Sequence, residues 1–176
     1  MDGERLDSLQ RLWTPWRMSY IKRDAGVDPR DVRGCPFCDL PDRGREADPE
    51  SLILHRGDHA YAILNAYPYN PGHLMAVPYR HVAGLDELEP AELSELAQLC
   101  QRAVRALKVC SGPDAFNLGM NLGAVAGAGI AEHLHQHVVP RWSGDTNFMP
   151  VVSQTRVLPQ LLEETYARLA PAFAEV

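Results

Sequence analysis

A chain of 176 residues is long enough for one well-filled core and short for two, so a single domain is expected. Its 45% hydrophobic and 23% charged residues suit a soluble globular protein, and no stretch approaches the ~20 apolar residues of a membrane span. A net charge of -6 argues against broad nucleic-acid binding, which is driven by lysine and arginine neutralising phosphates; it leaves room for a small anionic ligand, which responds to local donors.

The opening Met1-Asp2-Gly3-Glu4-Arg5-Leu6-Asp7 has no apolar core of a signal peptide, so a cytoplasmic location is expected. Residues 1–34 read as a polar N-terminal arm whose Trp13–Tyr20 aromatic cluster either packs on the domain or a partner subunit, or walls a ligand pocket. The rest, 35–176, reads as one domain that starts at a knuckle-like Cys35-Pro36-Phe37-Cys38. In a reducing compartment four cysteines are metal ligands or core thiols rather than disulfides, and the Cys-x-x-Cys spacing suits zinc if two further ligands come from elsewhere. His55 and His59 are candidate donors. Pro41–Pro49 reads as an exposed loop.

Short runs with β character follow at Leu52–Leu54, Ala60–Leu64, Leu74–Val77, Phe116–Asn121 and Leu134–Val139, separated by turn residues such as Asn70-Pro71-Gly72. They predict a mostly antiparallel sheet of about five strands. Between the third and fourth runs, Leu93, Leu96, Cys100, Ala103, Leu107 and Cys110 recur at helical spacing, with Pro90 in the first turn and Gly112 past the end. A helix with one buried stripe is expected there, with Cys100 and Cys110 as apolar packing. A second helix should follow Pro159, carry Leu161, Leu162, Tyr166 and Leu169, and stop near Pro171. The sum is an α+β domain with helices on one sheet face, the other face being left to a pocket or a second copy.

The run His133-Leu134-His135-Gln136-His137-Val138-Val139 concentrates the chemistry. In an extended strand its three imidazoles emerge on one face, with Leu134, Gln136 and Val138 on the other. Upstream, Asn121–Gly129 is poor in bulky side chains, so its backbone N–H groups can approach an anion closely. Imidazole is neutral and nucleophilic near pH 7, which suits attack on a phosphorus; three histidines on one face equally suit a zinc site with an open water position. The spacing alone leaves both readings open.

In this run, and in Asn65–Leu74, Val77–His81 and Pro140–Asp145, the chain resembles the histidine triad superfamily of nucleotide hydrolases and transferases, in family order over most of positions 50 to 150. Leu12–Met18, Arg141-Trp142 and Asn147-Phe148 look more specifically like the bacterial branch that includes diadenosine tetraphosphate phosphorylases. The resemblance implies the HIT-like fold with two principal helices, a homodimer or higher homo-oligomer whose sheets join, and His135 as the nucleophile that carries the nucleotidyl group. It implies that His137 binds phosphate oxygens and assists the leaving group, that Asn65 holds ribose hydroxyls, that His73 supports the triad, and that Asn121 lies near the phosphate. Tyr61 and Ile63, on the Asn65 face, line either the nucleoside pocket or the core. Many family members carry a phosphate-contacting glutamine in the glycine-rich loop where this chain reads Ala126-Gly127-Ala128-Gly129, with Gly127, Ala128 and Gly129 as the substrate-binding candidates; either the N–H groups of Ala128 and Gly129 carry more of the contact or a second anion fits the vacated space. Zinc-containing relatives imply a structural zinc on Cys35, Cys38, His81 and His133, and no organic cofactor. The function so implied is phosphorolysis of diadenosine tetraphosphate to ADP and ATP, with inorganic phosphate as the second substrate. A triad hydrolase of dinucleoside polyphosphates or nucleoside phosphoramidates, releasing AMP, is the first alternative; a nucleotide-binding, zinc-stabilised interaction protein is the second.

Overall fold

The computed structural model describes residues 34–145 and 161–175. The Trp13–Tyr20 cluster, Asn147-Phe148 and Pro159 lie outside them, as does the expected arm except for Gly34. Five strands form one antiparallel sheet: β1 (Ile53–Arg56), β2 (Ala60–Leu64), β3 (Leu74–Pro78), β4 (Ala115–Met120) and β5 (Gln136–Arg141), in the spatial order β1-β2-β3-β5-β4. Four helices accompany it among the described residues: α1 (Pro36–Asp39), α2 (Asp48–Ser51), α3 (Pro90–Ser111) and α4 (Leu162–Glu175).

The alternation of β2 and β3 divides the core in two. Ala62, Leu64, Leu74 and Ala76 face Leu96, Cys100, Ala103 and Leu107 of α3 and Leu169 and Phe173 of α4. Tyr61, Ile63, Met75 and Val77 face the other way and are covered by Cys35 and Phe37. That second face is therefore partly closed by the chain's own Cys35–Phe37 segment, not left wholly to a pocket or a second copy. Tyr61 and Ile63 are core: Tyr61 is fully buried and its hydroxyl donates to the Phe37 carbonyl at 2.7 Å.

Several elements depart from the sequence expectation. Pro41–Pro49 is mostly exposed as expected, but it is ordered into two short 3₁₀ turns leading into α2, because the Arg56 guanidinium gathers Asp48 and the carbonyls of Pro41 and Gly44. Leu93 is 46% exposed; the inward slot of the first turn of α3 belongs to Glu92, whose carboxylate binds Arg80 at 2.6 Å and the Glu89 N–H at 2.8 Å. Cys100 is buried as expected, whereas Cys110 is only half-buried. Leu161 is exposed ahead of α4, and Pro171 sits inside that helix instead of ending it. The missing Pro171 N–H forfeits one helical bond, but Ala172 and Phe173 beyond it are buried, and the Phe173 carbonyl accepts from Arg102 at 2.9 Å.

The largest departure concerns the histidine run. Only His137 lies in β5; His133 and His135 precede it. The ladder ends where β3 pairs Ala76 with Gln136 and β4 pairs Met120 with Gln136. One step further, Pro78 lends its carbonyl to the His133 ring at 2.9 Å, and the Leu134 N–H turns to the Val82 carbonyl at 2.6 Å.

Candidate active site

Each imidazole of the run is held by a partner that fixes its proton, since a carbonyl only accepts and a backbone N–H only donates. The Nε2–H of His133 donates to Pro78, so its Nδ1 lone pair points at Cys35 Sγ (3.4 Å), Cys38 Sγ (3.5 Å) and His81 Nδ1 (3.2 Å). Cys38 Sγ is also 3.4 Å from His81 Nδ1, and all four ligand atoms lie within 4.8 Å of one another. A tetrahedral zinc with bonds of about 2.0–2.3 Å places its ligand atoms about 3.3–3.8 Å apart. The cluster is thus of the size and donor chemistry of a closed Cys₂His₂ site. The alternative donors are elsewhere: His55 accepts from Arg102 at 3.1 Å and stacks on Phe173, and the His59 turn is held by the Glu95 carboxylate.

His135 sits immediately beside this cluster. Its Nδ1–H donates to the His133 carbonyl at 2.8 Å, which leaves the lone pair on Nε2. The Phe37 ring packs 5.0 Å from the His135 ring and 5.5 Å from that of His133. Phe37, one of the two residues between the cysteines, is the contact that sequence reasoning missed; the only signal for it was its place inside the knuckle.

His137 belongs to a second chain of bonds. The Tyr69 N–H donates to His73 Nδ1 at 3.0 Å, so the His73 proton is on Nε2 and is given to His137 Nδ1 at 2.9 Å. His137 consequently carries its own proton on Nε2. His73 is fully buried, with Tyr69 stacked on it at 4.7 Å and the Asn65 amide 3.4 Å away. The rings of His135 and His137 stand edge-on, 4.9 Å apart. One ring therefore offers a lone pair and its neighbour offers a proton, a pairing suited to attack on phosphorus with support of the departing oxygen.

Asn65 is half-buried, its Oδ1 taking the Tyr67 N–H at 2.8 Å. Asn121 follows directly after β4. The glycine-rich segment turns through Ala124–Ala126 to Gly127, whose φ of 91° is a left-handed conformation open to glycine; Ala128 is buried and Gly129 exposed. A groove of about 570 Å³, lined by Cys100, Val104, Lys108, Leu118 and Gln136, opens on the helical side of the sheet and contains none of the triad histidines.

Burial lowers the pKa of His133 from 6.5 to about 4 and lowers that of His135 also, so both rings are neutral at pH 7. Burial, then the neighbouring Cys35, pushes the Cys38 thiol up to about 12. The histidine shifts make a stability prediction. Between pH 6.5 and about 4 the unfolded chain binds protons that the folded chain refuses, so stability falls as pH is lowered through that window. His133 alone accounts for about 2 kcal/mol by pH 5, before most carboxylates titrate, and more where a proton must displace a metal. Urea unfolding of the purified protein should show this slope; an unchanged midpoint from pH 6.5 to 5 would contradict it.

The family model described as the HIT domain matches residues 46–144. A curated relative named AP-4-A phosphorylase, from Mycobacterium tuberculosis, is 48% identical over 98% of this chain and 88% of its own length. Among solved structures, a Zn-bound histidine triad family protein from Mycobacterium smegmatis matches with a TM-score of 0.65 and 28% identity, covering 82% of this chain and 96% of the other. A hypothetical histidine triad nucleotide-binding protein from Sulfolobus tokodaii matches with a TM-score of 0.62 and 27% identity, covering 80% and 90%.

Proposed function

The chain belongs to the HIT domain, or histidine triad, family, and from that premise we propose that it is a nucleotidyltransferase cleaving diadenosine tetraphosphate by phosphorolysis to ADP and ATP. The observation that carries the reading is the 2.8 Å bond from His135 Nδ1–H to the His133 carbonyl, which leaves Nε2 as a directed lone pair in a neutral ring. Nε2 attacks the α-phosphorus, a P–N bond forms, and the bond to the β-bridging oxygen breaks to release ATP. His137 Nε2–H donates to the departing oxygen or to a phosphate oxygen beside it. Inorganic phosphate then attacks the adenylyl-histidine, breaking the P–N bond, and leaves as part of ADP. In this proposal Asn65 holds ribose, His73 orients His137, and Asn121 with the N–H groups of Gly127, Ala128 and Gly129 receives phosphate.

Cys35, Cys38, His81 and His133 would hold zinc, which, with four protein ligands and no open position, supplies rigidity and not a reacting water. Thiols kept for a metal, together with a nucleoside polyphosphate substrate, fit the cytoplasm; no helix among the described residues is long and apolar enough to cross a membrane. A homodimer or larger homo-oligomer is part of the reading: β4 is an edge strand, and Leu118 on it and Leu122 just beyond its end are each 48% exposed, a surface that pairing with a second copy would cover. The division into an arm at 1–34 and one domain from 35 to 176 belongs to it as well.

The test is incubation with diadenosine tetraphosphate, with and without inorganic phosphate. ADP and ATP formed only when phosphate is present are the expected products. AMP in both conditions would replace the reading with a hydrolase, and binding without turnover would replace it with an interaction protein.

A further inference from the structure

The tail of β5 has no part in the chemistry above, yet it holds a dense polar cluster. The Asp145 carboxylate, 11% exposed, accepts from Arg141 Nε at 2.5 Å and Nη2 at 2.8 Å, from the Trp142 N–H at 3.2 Å and from Asn70 Nδ2 at 2.8 Å. Asn70 uses its amide group a second time, on the Pro140 carbonyl at 2.9 Å, while its own backbone carbonyl takes the His73 N–H at 3.0 Å. Its chain neighbour is Tyr69, whose N–H fixes the His73 tautomer. The Asn70 side chain thus clasps the Tyr69–His73 turn onto the strand that carries His137.

We infer that Asp145, acting through Asn70, is a positioning residue that keeps the proton of His137 on Nε2. The inference rests on the proposed role of His137 as a donor to phosphate oxygen. The physical argument is a coupled pair of tautomers. While the Tyr69 N–H is held against His73 Nδ1, the His73 proton must be on Nε2, His137 must accept on Nδ1, and its proton must face the site. If the turn drifts, His73 is free to take its proton on Nδ1 and accept on Nε2. His137 then donates from Nδ1 and presents a lone pair to the phosphate, the wrong sign for an anion. The clasp reaches no reacting atom, so its removal should act on the chemical step more than on substrate binding.

Two variants test this from the two ends of one bond, Asp145→Asn and Asn70→Ala, with ring-nitrogen NMR of ¹⁵N-histidine protein and steady-state kinetics on diadenosine tetraphosphate with phosphate. In wild type the His137 ring should show a protonated Nε2 and an unprotonated Nδ1. Each variant should show tautomer mixing at His73 and His137, with kcat lowered about tenfold and KM changed less than twofold. In a His73→Phe background, adding Asp145→Asn should lower kcat no further, whereas a merely structural role would add its own loss. Should Asp145→Asn fail to fold, Asn70→Ala decides alone. Unchanged ring signals and wild-type kcat in the folded variants would overturn the inference. If wild type itself does not turn over the substrate, the functional reading fails while the ring signals still judge the clasp.

Discussion

Replacing His135 with asparagine is expected to lower phosphorolysis by about four orders of magnitude, because no other group can form the covalent intermediate. Asparagine is the informative substitute. Its amide can still donate to the His133 carbonyl, so the bond that anchors the ring position has a successor, but it has no nucleophilic nitrogen at the place of Nε2. The site is 6% exposed and packed by Phe37, so the smaller side chain leaves a modest void on one side without changing charge at pH 7. Nucleotide binding, measured by calorimetry, should therefore stay within a fewfold of wild type. In single turnover without phosphate, wild type should release ATP and retain an alkali-stable, acid-labile adenylyl group, and the variant should retain none. A His135→Asn enzyme with wild-type kcat would mean that the acceptor attacks phosphorus directly.

How far the sequence reaches is clear from particular residues. β2 and β3 lie at or within one residue of their expected bounds because both are short apolar runs closed by turn residues, and α3 runs from Pro90 to a left-handed Gly112 as its caps dictate. Such signals are local. Continuation of α4 through Pro171 was not legible, since it depends on Phe173 finding a buried place against His55 and Arg102, far away in the chain. The histidine run was legible as chemistry but misread as one strand face. Pro78 and Val82, some 50 residues earlier, draw His133 and Leu134 out of the ladder. That displacement separates the three rings: His133 turns towards the cysteines, His135 packs between Phe37 and His137, and only His137 keeps the strand geometry that lets His73 reach it. The spacing left nucleophile and metal ligand as alternatives for the run; the structure sets His133 Nδ1 among Cys35, Cys38 and His81 and bonds His135 Nδ1 to the His133 carbonyl, an arrangement that fits the proposed division between ligand and nucleophile. The Asn70–Asp145 bond joins residues 75 apart and leaves no periodic trace.

Loss of the zinc proposed for Cys35, Cys38, His81 and His133 should have the largest effect on stability. Cys35→Ser is expected to reduce bound zinc from about one per chain to near zero and to lower the stability of the folded state by several kcal/mol, part of the roughly 10–16 kcal/mol that closed Cys/His sites contribute when they form. The size of the effect follows from where the cluster lies. Cys35 and His133 are 7% and 0% exposed, while Cys38 and His81 are half-buried, so two of the four ligand atoms belong to side chains withdrawn from water, where a polar group is costly unless it is well paired. His133 cannot relax by swinging out, because Pro78 holds its other nitrogen and the Phe37 ring packs beside it in a T-shaped contact. Its carbonyl is also the anchor of His135, so a backbone shift of His133 of even half an ångström carries into the reacting ring. The measurements are zinc by atomic absorption, thermal midpoint with and without added chelator, and the His135 ring-nitrogen signals. Wild type should lose midpoint on chelation and Cys35→Ser should not, having nothing left to lose. A Cys35→Ser protein that retains one zinc, or melts as wild type does, would show that these four residues do not form the metal-dependent brace.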